Sequence, residues 1–254
     1  MNLGDAYWPQ LAARHRGALL VPLGALEQHG PHLPLDTDTR IALAVARGAA
    51  AKRAGSAVAP ALAFGASDEH RGFPGTLSTG SEALRSLLVA LARDGCRDWR
   101  AVLFVNAHGG NADALRGALA QLAGEGRPCA AYTAAPAGGD LHAGLCETSL
   151  MLHLAPRAVC LQRLQAGNTR PWAQLGPLLR SRGVRAVSPN GVLGDPAAAS
   201  AALGRRLLAG LIDDCVAALD GLLAAEADAR TRGARAAGGG AETLTTTQGR
   251  GAGR

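Results

Sequence analysis

The stretch Ala101-Val102-Leu103-Phe104-Val105-Asn106, followed at once by Ala107-His108-Gly109-Gly110-Asn111, decides the fold class of this 254-residue chain. An apolar run without alternation, bounded by turn residues, reads as a strand covered on both faces. The spacing predicts a helix behind it, from Asn111 to about Gly124. Working outward, residues 81–94 read as a helix capped by Ser81, with Glu82 in its first turn. Residues 128–133 read as a further strand. Toward the N-terminus come a short apolar strand at 18–24, a helix at 39–54, a second strand at 56–62 and a long loop at 63–80. Toward the C-terminus, a short helix at 144–154 is stopped by Pro156, and a helical region runs from Pro196 to about Arg230. Repeated strand–helix units of this size predict an α/β fold: a three-layer α/β/α sandwich with a mostly parallel central sheet.

The length suits one domain, expected over residues 1–232. Residues 233–254 are rich in Gly, Ala, Thr and Arg without periodicity and are expected to form a disordered tail. The net charge of +6 points less to nucleic acid than it first suggests. Residues 230–254 alone carry five arginines and one glutamate, while residues 1–229 carry 21 basic and 19 acidic residues. The expected domain is therefore near neutral, with no basic stripe and few aromatic residues for stacking on bases. No apolar run is long enough for a membrane span, and no secretory signal opens the chain. Five widely spaced cysteines without a Cys-x-x-Cys pair suit reduced thiols, so a cytoplasmic protein is expected.

The chemistry concentrates at predicted strand ends. After the first strand comes Glu27-Gln28-His29-Gly30-Pro31-His32-Leu33-Pro34-Leu35-Asp36-Thr37-Asp38. Along extended chain, residues i and i+2 share a side, so Glu27 and His29 can face one pocket and Asp38 can fold back onto it. Mixed oxygen and imidazole donors suit zinc, manganese or iron. Helix capping would account for Asp36 or Asp38 but leaves Glu27 and His29 without a role. After the central strand, a glycine turn with Asn111 as cap accounts for the glycines but not for His108. In His142-Ala143-Gly144-Leu145-Cys146-Glu147-Thr148-Ser149, Glu147 suits either a capping box or a metal ligand, and His142 lies just outside the helix. His32 and His70 lie in polar loops that could line the pocket. The loop from Asp68 to Ser78 reads equally as a binding loop or a surface excursion. His15 is expected to be exposed and His153 to pack within its helix. Nucleophile-elbow, phosphate-loop, dinucleotide and His-Glu-x-x-His patterns are all absent from the sequence. What remains suits a metal-activated water.

Taken together and in order over about residues 16–155, these motifs resemble the creatininase (creatinine amidohydrolase) family. The resemblance implies a three-layer α/β/α fold with two divalent metal ions (zinc, iron or manganese) that hydrolyses amide or cyclic amide bonds. It implies that Glu27, Asp38 and His108 hold one ion, that His29 and the bridging Asp38 hold the other, and that His142 stands beside the substrate. In creatininase itself a glutamate stands two residues beyond the strand-end histidine, as a ligand of the second metal. Here that position is Gly110, which favours Glu147 as the completing carboxylate. The segments 166–171 and 184–196 look like the mycofactocin-system branch of the family. That likeness implies a peptidase trimming the modified C-terminal Val-Tyr-derived unit of a precursor peptide. A small-molecule amidohydrolase acting on creatinine, a lactam or a formamide is the alternative. A homo-oligomer is expected, with no nucleic-acid or membrane partner.

Overall fold

The computed structural model describes residues 1–12 and 17–238. After a short helix α1 (Trp8–Ala12), strand β1 (Ala18–Leu23) leads into α2 (Thr37–Ala51) and strand β2 (Ala57–Val58). Helix α3 (Ser81–Asp98), strand β3 (Ala101–Asn106), helix α4 (Ala112–Gly124) and strand β4 (Cys129–Thr133) follow. Helices α5 (Leu145–Leu154), α6 (Trp172–Arg182), α7 (Val184–Val187) and the 38-residue α8 (Ala201–Gly238) complete the described chain. The four strands lie in the order β2-β1-β3-β4, all parallel.

Every residue of β1 and β3 is buried, as their unbroken apolarity predicts for a sheet covered on both faces. The two-residue period then sorts them between two cores. Leu20, Leu103 and Val105 join Ile41 and Val45 of α2, Leu150 of α5, and Leu211, Cys215 and Leu219 of α8. Leu19, Val21, Val102 and Phe104 join Leu84 and Leu88 of α3 and Leu115, Ala118 and Leu122 of α4. The three layers are thus α2, α5 and α8, the sheet, and α3 with α4. All five cysteines are free, and no described helix is long and apolar enough to cross a membrane.

Several boundaries differ from the sequence reading. The second strand shrinks to two residues because its pairing with β1 slips by one residue after Ala59, across Pro60 and Ala61. Its flanks still run beside β1, with Ala59 N donating to Leu20 O at 2.9 Å and Leu62 N to Pro22 O at 2.9 Å. Ser81 is the first helical residue rather than a cap; Gly80, at φ +72°, precedes it with no side-chain cap bond. The last helix starts at Ala201, after a turn in which Ala199 N reaches Pro196 O. It continues to Gly238. Residues 233–238, assigned in sequence to the tail, are therefore helical, and residues 239–254 lie outside the described residues, as does His15. His153 is exposed on α5 rather than packed.

Candidate metal centre

Strands β1 and β3 are neighbours in register, with Leu23 opposite Asn106, so the loops leaving their C-terminal ends emerge side by side. That is the edge where open α/β sheets build their sites. Side-chain bonds hold these loops in place. Asn111 donates to Gly24 O at 3.1 Å and Asn106 Oδ1 at 3.0 Å, and accepts from Ala66 N at 2.9 Å. Asn106 in turn donates to His108 O at 2.8 Å. Asn111 thus ties three loops together, where the sequence reading offered it as a helix cap.

Glu27, His29, Asp38, His108 and His142 are all buried and converge. Asp38 lies in the first turn of α2, with Oδ1 2.9 Å from His29 Nε2 and Oδ2 3.4 Å from His108 Nδ1. Glu27 Oε2 is 3.1 Å from His108 Nε2, and its Oε1 is 3.3 Å from His70 Nε2 and 3.8 Å from His142 Nδ1. Glu147 Oε2 lies 3.9 Å from His29 Nε2. Three groupings have donor atoms close enough to share an ion: Glu27 with Asp38 and His108, His29 with Asp38 and Glu147, and Glu27 with His29 and His142.

Glu147 braces the turn before its helix and also faces the site. Its Oε2 accepts from Ala143 N at 2.6 Å, one residue before the helix cap, while also facing His29. The free N–H groups of α5 are taken by Asp140, whose carboxylate accepts from Leu145 N and from Cys146 N. Ala143 adopts φ +52°, an uncommon conformation for a residue with a Cβ. This turn joins His142, buried beside Glu27 and His29, to the start of α5.

Hydrogen-bond accounting sets three histidine tautomers. Gln28 Oε1 accepts from Gly30 N at 2.8 Å, which orients the amide. Its two N–H bonds go to Gly191 O at 3.0 Å and His70 Nδ1 at 2.9 Å. His70 then presents Nε2–H to Glu27. His142 Nε2 donates to Gln28 O at 2.8 Å, leaving the Nδ1 lone pair facing Glu27. His29 donates Nδ1–H to Glu27 O at 3.1 Å, freeing Nε2 to act as a ligand.

Burial dominates the electrostatics. It lowers His142 well below its ordinary range, reinforced by His29 and His70, and it lowers His70 to about 3. It would lower His29 too, but Asp38 overrides it and lifts that imidazole to about 10. Burial also works against His108, which Glu27 and Asp38 raise well above its usual value. Burial pushes Glu147 up to about 7 against the pull of His29. The carboxylates thus draw positive charge onto His29 and His108. Glu27 Oε1 and Oε2 and Asp38 Oδ2 are buried and accept no hydrogen bond. Such oxygens are costly to bury unless they meet a cation. A mixed imidazole–carboxylate donor set with inward lone pairs fits divalent zinc, manganese or iron.

The structure brings together all six side chains singled out in sequence: Glu27, His29, Asp38, His108, His142 and Glu147. His70 joins them, whereas His32 turns to Thr148 Oγ1 at 2.9 Å and anchors α5. Gln28 and Glu69 were missed. Gln28 lies between two histidine-facing residues, and Glu69 precedes His70 in a loop whose direction no periodicity reveals.

The family model for creatininase, described as creatinine amidohydrolase, matches residues 4–219. The chain is 53% identical over 207 residues to a protein of Mycobacterium ulcerans named mycofactocin precursor peptide peptidase, covering 78% of this chain and 83% of the relative. Among solved structures, creatinine amidohydrolase (creatininase) superposes with a TM-score of 0.71 at 26% identity, over 86% of this chain and 96% of the other. A structure titled creatininase Mn gives a TM-score of 0.69 at 25% identity, with coverage of 86% and 96%. With its three-layer fold and its histidines and carboxylates gathered at the ends of β1 and β3, the chain belongs to the creatininase family.

Proposed function

We propose that this chain is a metal-dependent amide hydrolase that acts as a peptidase on the mycofactocin precursor, releasing its modified C-terminal Val-Tyr-derived unit. The observation that carries the hydrolytic reading is the convergence of Glu27 and Asp38, with buried unpartnered oxygens, on His29, His108 and His142. Glu27, Asp38 and His108 would hold one divalent ion, and His29, Asp38 and Glu147 the other, with Asp38 shared. When bound, such ions acidify water and polarise the scissile carbonyl.

His142 supplies the proton traffic. Its Nδ1 lone pair is available because Nε2–H is committed to Gln28 O. The imidazole takes a proton from the attacking water at Nδ1 and gives it to the leaving amine nitrogen, a role worth typically about 10²–10⁴-fold. His142 thus begins as a base, since burial keeps it neutral, and ends as the acid toward the leaving nitrogen. His70 Nε2 stands 3.3 Å from Glu27 Oε1 and confines that side of the carboxylate by contact.

The identity gradient supports a peptide substrate over creatinine: 53% to the peptidase-named relative against 31% to a creatinine amidohydrolase of Pseudomonas putida. A pocket of about 510 Å³ lies at the start of α5, lined among others by Leu141, Arg170, Trp172 and Leu193. It offers room for a peptide end with an aromatic group. The test is to incubate the metal-loaded protein with a precursor peptide ending in the modified Val-Tyr unit, and separately with creatinine, following products by mass spectrometry. Release of the C-terminal unit, abolished by a chelator and restored by metal, is expected. Hydrolysis of creatinine alone would overturn the peptidase reading.

A further inference from the structure

We propose that Glu69 is a further oxygen donor to the ion held by Glu27, Asp38 and His108, an assignment that rests on the metallohydrolase reading above. Glu69 sits in the short turn Asp68–His70, beside the other site loops. Its Oε1 lies 3.6 Å from His108 Nε2, the nitrogen that Glu27 Oε2 approaches at 3.1 Å. A separation of 3.6 Å is too long for a hydrogen bond. It matches the spacing of two donors around one ion, about 3.4 Å for ligands about 2.0–2.2 Å from a tetrahedral centre, once His108 Nε2 gives up its 3.0 Å bond to Ala66 O and the Glu69 carboxylate closes on Glu27 and Asp38.

The backbone makes room for this carboxylate. A Cβ at position 110 would collide with Glu69 Oε1, Ala66 O and His108 Nε2. Glycine at 110 is therefore what lets the Glu69 side chain reach the centre, a steric reason separate from its freedom in a turn. Charge points the same way. Among the described residues the one basic side chain within 4 Å of the Glu69 carboxylate is His108. An unneutralised carboxylate beside the unpartnered oxygens of Glu27 needs a cation nearby. Glu27, Asp38, Glu69 and Glu147 together carry four negative charges, which two divalent ions balance. Glu69 then mirrors Glu147: each carboxylate flanks one histidine, at 3.6 Å from His108 and 3.9 Å from His29.

The test titrates chelator-stripped full-length protein with Mn²⁺, reading stoichiometry by calorimetry and coupling between ions by electron paramagnetic resonance. The wild type should take up two ions with a coupled-pair spectrum. Glu69→Gln, which keeps the shape of the side chain, and Glu69→Ala should each keep one ion. The other should weaken at least about tenfold, and the spectrum should become that of an isolated ion. Glu147→Ala should weaken the opposite ion. Two ions bound by both Glu69 variants with wild-type affinity and coupling would overturn the assignment while leaving the hydrolase reading intact. A wild type that binds no ion would defeat the hydrolase reading itself. Thermal melts of each variant confirm that the titrated protein is folded, and Glu69→Gln carries the test should the alanine variant not fold.

Discussion

Asp38 reaches both sides of the centre, with one oxygen 2.9 Å from His29 and the other 3.4 Å from His108. Asp38→Ala should therefore strip both ions at once, where loss of a ligand confined to one side strips one. Elemental analysis of the purified variant checks this, and retention of a full metal complement would refute the shared role. His142 makes a contrasting case. His142→Ala should cut turnover about 10²-fold or more while metal content stays near normal, because the ring is placed for proton transfer. The geometry also lets His142 join Glu27 and His29 around an ion, so metal and turnover must be measured on one preparation. Metal falling in step with activity would make His142 a ligand. At this scale residue type and i, i+2 spacing made Glu27 and His29 legible in sequence. The direction of Glu69 was not, because a loop residue's aim depends on which neighbour leaves room, here Gly110.

Between elements, the tightest joint lies where α8 crosses α5. Gly204 stands so close to Ser149 that a Cβ would strike the Ser149 carbonyl. Gly204→Ala should destabilise the protein by about 1–3 kcal/mol despite alanine's better helix propensity, since backbone cannot yield as a side chain end can. A melting temperature equal to wild type would show that the helices part without cost. Phe104 is fully buried between β3 and the α3–α4 layer. Phe104→Ala should cost about 3–5 kcal/mol in denaturant unfolding. The strands β1 and β3 were readable because burial on both faces demands unbroken apolarity. The second strand was read too long because apolarity continues through Pro60 while the hydrogen-bond ladder does not.

For the whole molecule, the centre links binding to stability. It draws residues from β1's loop, α2, β3's loop and α5, so an ion that binds only the folded chain stabilises all of these together. At a free concentration of about 100 times its dissociation constant, one ion should add about 2.7 kcal/mol. Melting scans with Mn²⁺ and with chelator check this, and coincident curves would argue against ion binding by the native state. Truncation after Gly238 should leave both melting and turnover unchanged, since residues 239–254 lack the periodic apolar positions that offset ordering entropy. The sequence by itself determined the layered α/β class and the chemical type of the centre. Burial forces a periodicity on strands and helices, and imidazoles with carboxylates at strand ends restrict what can be bound. Tertiary structure alone decided which donors lie close enough to share an ion, which tautomers the histidines hold and where the last helix ends. Those depend on through-space distances among residues as far apart as Gln28 and Gly191, which no local pattern in the chain encodes.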